Sequence, residues 1–109
     1  MTVKELADAC QFKTVVMPCP EKEASGVYIG DLLSWVMGRA EAENVWITIM
    51  SNVNVVAVAS LADVSCVLLA EGVTLDADVL ETAESKGINV LTSDLPIYET
   101  AIKIGGILG

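Results

Sequence analysis

Three short runs without charge, residues 45–50, 66–70 and 88–92, begin about one βα unit apart, and no other feature limits the fold as much. Runs that stay apolar, with no period-two alternation, suit strands covered on both faces. Parallel strands at this spacing need a crossover, usually a right-handed one through a helix. The expectation is an α/β domain. Its sheet would be mostly parallel and four-stranded, with helices packed on it, the remaining strand being residues 14–17. Pro18-Cys19-Pro20 stops that first strand, since proline cannot donate to a ladder.

The first run, Val45-Trp46-Ile47-Thr48-Ile49-Met50, reads as the central strand, with Ile47 and Ile49 fully buried. It opens into the polar pair Ser51-Asn52, where a parallel strand hands over to a helix. Ligands of open α/β sheets sit at that position.

Helices fill the intervals. Thr2 and Glu5 have capping-box spacing, and Val3, Leu6, Ala7 and Cys10 share one helical face over residues 2–10. Asp31 can cap a helix running to about residue 40, with Leu32, Val36 and Met37, flanked by Leu33 and Trp35, as its apolar stripe. Residues 53–61 divide the signals. Four valines favour strand, whereas the nearness of the next strand demands a crossover helix. We assign a helix capped by Asn52, with Val53, Val56, Ala57, Ser60 and Leu61 on one face. A further helix spans about residues 76–86, with Val79, Leu80 and Ala83 inward and Gly87 as its C-cap. Ser93-Asp94 would cap the last helix, with Ile97, Ala101, Ile102 and Ile104 facing the sheet and Gly105-Gly106 ending it.

With 109 residues and 53% hydrophobic content, the chain suits one folded domain, residues 1–109. No apolar run approaches the roughly 20 residues of a membrane span, and the N-terminus has no signal-peptide pattern. The expectation is a soluble, cytoplasmic protein. Net charge is −9, from 15 acids and 6 bases. The bases Lys4, Lys13, Lys22, Arg39, Lys86 and Lys103 are scattered, so nucleic acid and anionic membrane are poor partners.

Catalytic chemistry is sparse. There is no histidine, the commonest general base, and no C-x-x-C pair among Cys10, Cys19 and Cys66. We expect no metal, no cofactor and no catalytic residue, and the cysteines read as small apolar residues, Cys19 being the exposed one. Gly26-Val27-Tyr28-Ile29-Gly30-Asp31 is neither a P-loop nor a dinucleotide fingerprint, and reads as a turn with paired glycines. Asp31, Asp63 and Asp94 are explained as caps or turn residues, and Trp35 and Trp46 as core. Any ligand would lie over the carboxyl ends of the strands, at Ser51, Asn52, Gly72, Ser93 and Asp94. Unpaired amides at the helix starts near Asn52 and Asp94 would favour an anion there. Ser51-Asn52 is the better half, because the Asp94 carboxylate opposes a phosphate.

The runs Tyr28-Ile29-Gly30-Asp31-Leu32-Leu33-Ser34, Val45-Trp46-Ile47-Thr48 and Val55-Val56-Ala57-Val58-Ala59-Ser60-Leu61 resemble the small stand-alone DRTGG-domain proteins. So do Glu71-Gly72, Ala83-Glu84 and Gly87-Ile88. The family's naming string is absent. The resemblance implies an α/β domain, often dimeric, like the regulatory modules of CBS-domain pyrophosphatases and phosphotransacetylases, and supports the helix at 53–61. Some relatives are linked to a serine kinase acting on HPr, but without a P-loop that activity is not implied here. The reading is a non-enzymatic regulatory domain that senses a small anionic metabolite or nucleotide. The alternative is a protein-interaction or dimerisation module without a ligand. A homodimer is expected, formed through the apolar end from Ile104 to Leu108.

Overall fold

The computed structural model describes residues 1–108, and within them one five-stranded sheet carries helices on both faces. The elements run α1 (Val3–Cys10), β1 (Lys13–Val16), β2 (Val27–Ile29), α2 (Leu33–Arg39), β3 (Val45–Thr48), α3 (Asn54–Ala62), β4 (Cys66–Leu69), α4 (Ala77–Lys86), β5 (Val90–Thr92) and α5 (Ile97–Leu108). The strand order is β1-β5-β4-β3-β2. From β2 to β5 each strand pairs parallel with the next, through a crossover helix.

Two departures from the expected four-stranded sheet stand at its edges. Val27–Ile29 forms a fifth strand beside β3. Its three residues lie between Gly26 and Gly30 and are only half covered, so they carry no long apolar run. The first strand, β1, joins the opposite edge antiparallel to β5, with a register shift between Thr14 and Val16. It has no crossover helix after it, only the loop through Pro18-Cys19-Pro20.

Burial on both faces explains the unbroken apolar runs. Val45, Ile47, Cys66, Leu68 and Leu91 pack with α1 and α5 residues such as Leu6 and Ile104. Trp46, Val67, Leu69 and Val90 point to the other side, against Val36, Val56 and Val79 of α2, α3 and α4. The exception is Ile49, which is 41% exposed. Strand β3 stops at Thr48, because the Thr48 hydroxyl and the Ile49 amide both donate to Asp31 Oδ1, at 2.7 and 3.0 Å. That bonding also replaces the expected role of Asp31. The α2 N-cap is Leu32, with no side-chain bond.

Helix α1 has the expected capping box and buries Val3, Leu6, Ala7 and Cys10. Hydrogen bonds from Thr2 hold the Glu5 carboxyl below its ordinary range. The helix assigned to residues 53–61 is α3, over residues 54–62. Its N-cap is Val53 with no side-chain bond, not Asn52, whose side chain closes a turn onto the Asn54 amide. The buried face is Val55, Val56, Val58 and Ala59. Val53, Ala57, Ser60 and Leu61 are exposed. The helix is apolar almost all round, so its neighbours select the face. In α2 only Val36 is buried; Trp35 is half exposed, with the Arg39 guanidinium 3.8 Å above its ring. Helix α5 continues through Gly105-Gly106 to Leu108, and Ile102 is exposed.

One buried side chain fastens the loop after β1. Asn89, 1% exposed, accepts from the Cys19 amide at 2.9 Å. Its Nδ2 donates to the carbonyls of Cys19 and Ser65 at 2.8 and 3.0 Å.

Candidate functional site

The carboxyl ends of β3, β4 and β5 lie side by side, which brings the five expected residues to one edge of the sheet. There they form two separate groups, and the groups differ in how many polar atoms are free.

Ser51 and Asn52 occupy the exposed turn between β3 and α3. The Asn52 carboxamide oxygen accepts from the Asn54 amide at 2.9 Å, and its carbonyl accepts from Val55 at 3.1 Å. The Val56 amide donates to the Val53 carbonyl at 3.1 Å. These bonds engage first-turn amides of α3 that the sequence reading leaves open to an anion. Among the described residues, the Ser51 hydroxyl and Asn52 Nδ2 make no hydrogen bond, so side-chain donors remain available here.

Gly72, Ser93 and Asp94 meet in a second group. Glu71 and Gly72 have φ of 61° and 70°, and Val73 donates back to Ala70 at 3.1 Å, which closes a tight reverse turn. Glycine suits this backbone without strain. The two turn amides donate to Leu95 and Ser93 carbonyls at 2.9 and 3.0 Å. The Ser93 amide donates to Leu69 at 2.8 Å, and its hydroxyl accepts from the Leu95 amide at 3.2 Å. The hydroxyls of Ser93 and Thr100 lie 2.9 Å apart, and Thr100 Oγ1 donates to the Leu95 carbonyl at 3.2 Å. Ser93 is thus bonded within the fold. Asp94 is exposed, and α5 begins only at Ile97, so it stands outside the helix it was expected to cap. Its Oδ1 lies 3.6 Å from where a Gly72 Cβ would stand.

Two clefts open on the molecule, and only the first adjoins these residues. One, of about 230 Å³, is lined by Ser93 and Asp94 together with Lys13 and Lys103. Sequence reasoning did not bring the two lysines to the site. The signal lay in the antiparallel entry of β1, which sets Lys13 opposite Thr92. The Lys103 ammonium is held by the Cys10 carbonyl at 3.2 Å, so it serves the end of α1. The other cleft, about 590 Å³, lies between β2 and α5. Among the described residues no group of three His, Cys, Asp or Glu side chains is placed to hold a metal, and no helix is long and apolar enough to cross a membrane.

With this geometry in view, the DRTGG domain family model matches residues 21–107. Among solved structures, the chain is similar to the CBS and DRTGG domains of the regulatory region of Clostridium perfringens pyrophosphatase, complexed with its activator, diadenosine tetraphosphate. The TM-score is 0.73 at 15% identity, over 94% of this chain and 45% of that one. This chain therefore spans less than half the length of that structure. Among curated proteins, no sequence matches.

Proposed function

The chain belongs to the DRTGG-domain family, and on that premise we propose that it is a non-enzymatic regulatory domain that senses a small anionic metabolite of the nucleotide class. The observation that carries this reading is the shared fold with a regulatory region that binds a nucleotide activator. The ligand would lie across the carboxyl edge, at Ser51, Asn52, Gly72, Ser93 and Asp94. Ser51 and Asn52 supply free donors, whereas Gly72 and Ser93 form a wall already tied into the fold. Asp94 repels a phosphate at its own end, which directs the anion toward Ser51-Asn52. Signalling then requires only that binding favours one arrangement of the domain over another.

The test is a thermal-denaturation screen of adenine nucleotides and other phosphorylated metabolites, with turnover followed in parallel. A ligand at one hundred times its dissociation constant stabilises the fold by about 2.7 kcal/mol. Stabilisation without turnover, weakened in Asn52→Ala beyond the loss of about 1 kcal/mol expected for its single bond to the Asn54 amide, supports the reading. No shift at millimolar concentration refutes it.

The second reading is a protein-interaction or dimerisation module with no ligand of its own. It is favoured by the large apolar cleft beside β2, which no segment of the described chain fills. Under either reading the working state is a homodimer.

A further inference from the structure

The two edges of the sheet are finished differently. At one, β1 starts with Lys13, carries a register shift at Thr14/Val16 and runs into Pro18. Lysine, bulges and proline are the devices that keep an edge strand from pairing with another chain. At the other edge, β2 has no lysine, register shift or proline, and only its length of three residues limits pairing. The Gly26 carbonyl accepts from Val45 at 3.0 Å and the Gly30 amide donates to Ile47 at 3.2 Å. In a parallel ladder of this register, alternate residues bond to β3, so the amides and carbonyls of Val27 and Ile29 point to the open edge.

The cleft beside that edge is lined by no charged residue, in a chain of net charge −9. The lining of this 590 Å³ cleft includes Val27, Ile29, Ala101, Gly105 and Leu108. Val27 and Ile29 are 36% and 46% exposed. They pair in register with Val45 and Ile47, so their side chains stand on the face that α5 covers. Ala101 and Gly105, one helical turn apart, keep the adjoining wall of α5 low enough for a second helix to approach closely.

We propose that β2 pairs with β2 of a second copy about a two-fold axis through Tyr28, joining two five-stranded sheets into one. Antiparallel pairing sets Val27 opposite the Ile29 of the other copy, and each exchanges an amide and a carbonyl with its opposite residue. The same operation brings the two α5 helices together over the joined edges, where their small residues fill the cleft. An isologous contact needs one self-complementary patch, and this edge supplies both its hydrogen bonds and its apolar surface. The inference rests on the self-association in the reading above and not on the ligand.

Sedimentation velocity on the full chain tests it, with Gly105→Arg and Val27→Lys. A Cβ at Gly105 meets nothing within 4 Å, so the arginine leaves the monomer fold intact while blocking the helix contact. Gly38→Arg, equally open and on α2, is the control for added charge. The expected result is a dimer for wild type and Gly38→Arg, and a monomer for Gly105→Arg and Val27→Lys. The Val27 and Ile29 amides should exchange slowly with solvent only in the dimer. Should Val27→Lys not fold, Gly105→Arg with amide exchange decides alone. A dimer that survives Gly105→Arg with those amides unprotected overturns this interface and leaves self-association standing. A wild-type monomer overturns both, and nucleotide stabilisation, read on the same samples, is judged separately.

Discussion

Removing the Asn89 carboxamide should cost this domain a large part of its stability. The side chain is 1% exposed and makes three hydrogen bonds, to the Cys19 amide, the Cys19 carbonyl and the Ser65 carbonyl. A net contribution of about 1 kcal/mol for each gives roughly 3 kcal/mol for Asn89→Ala, and an unsatisfied Ser65 carbonyl adds about 1 kcal/mol more. Water reaches the half-buried Cys19 more readily than the buried Ser65, so the excess penalty falls on Ser65. Against the 5–15 kcal/mol typical of small domains, about 3–4 kcal/mol should lower the melting temperature by more than roughly 10 °C. Urea denaturation followed by circular dichroism measures it, with the midpoint falling at unchanged slope. Asn89→Asp sharpens the test. An aspartate there keeps the acceptor for the Cys19 amide but sets a carboxylate against two carbonyl oxygens, so its pKa in the fold rises. Stability of that variant is therefore highest in acid and falls as pH increases through the raised pKa. A loss below about 1 kcal/mol for Asn89→Ala, or an Asn89→Asp variant without that pH dependence, refutes the reasoning.

Ile47→Ala should cost about 2–5 kcal/mol and Ile49→Ala under about 1 kcal/mol, because only Ile47 is fully buried; equal losses in chemical denaturation would contradict the assigned strand end. Asp31→Ala should cost about 2 kcal/mol, since the buried Thr48 hydroxyl loses its acceptor, whereas Asp31→Asn keeps an oxygen there and should recover at least half; identical melting curves would remove Asp31 from the β3 terminus. Burial pushes the Cys66 thiol up to about 12, so the stability it lends is complete below the ordinary thiol pKa of about 8.5 and is lost as pH rises toward the folded value. Wild type should lose stability with rising pH faster than Cys66→Ala over that window, and native Cys66 should resist alkylation at about pH 8; rapid labelling would show the core opening readily.

The sequence carries some features of this fold more plainly than others. Thr2 and Glu5 lie close enough in the chain for the capping box to be read directly, and the runs at β3, β4 and β5 are doubly buried and so unbroken. Strand β2 was hidden because an edge strand of three half-covered residues leaves no such run. The inward face of α3 was not legible, since valine and alanine surround the helix and only the packing against α2 and the sheet selects Val55 and Ala59. Asp31 illustrates a general limit: an acid before a helix suits a cap, but its use is decided by Thr48, which the fold brings beside it. For the candidate site, the placement of its residues at one edge followed from the strand rhythm. Which of their polar atoms stay free did not, because the Glu71 and Gly72 amides are claimed by carbonyls of the β5–α5 loop.

The antiparallel seat of β1 also sets an order of events during synthesis. Strands β2, β3, β4 and β5 emerge in the order in which they pair, so each can join a neighbour already made. Among the described residues β1 pairs with no strand but β5, and the bond that joins α1 to α5 spans 93 residues, from Cys10 to Lys103. Strand β1 has no place in this sheet until β5 leaves the ribosome. Until then the α1 face has Val45, Ile47 and Leu68 as neighbours but lacks Leu91 and Ile104, so the second core is completed only once β5 and α5 have been made.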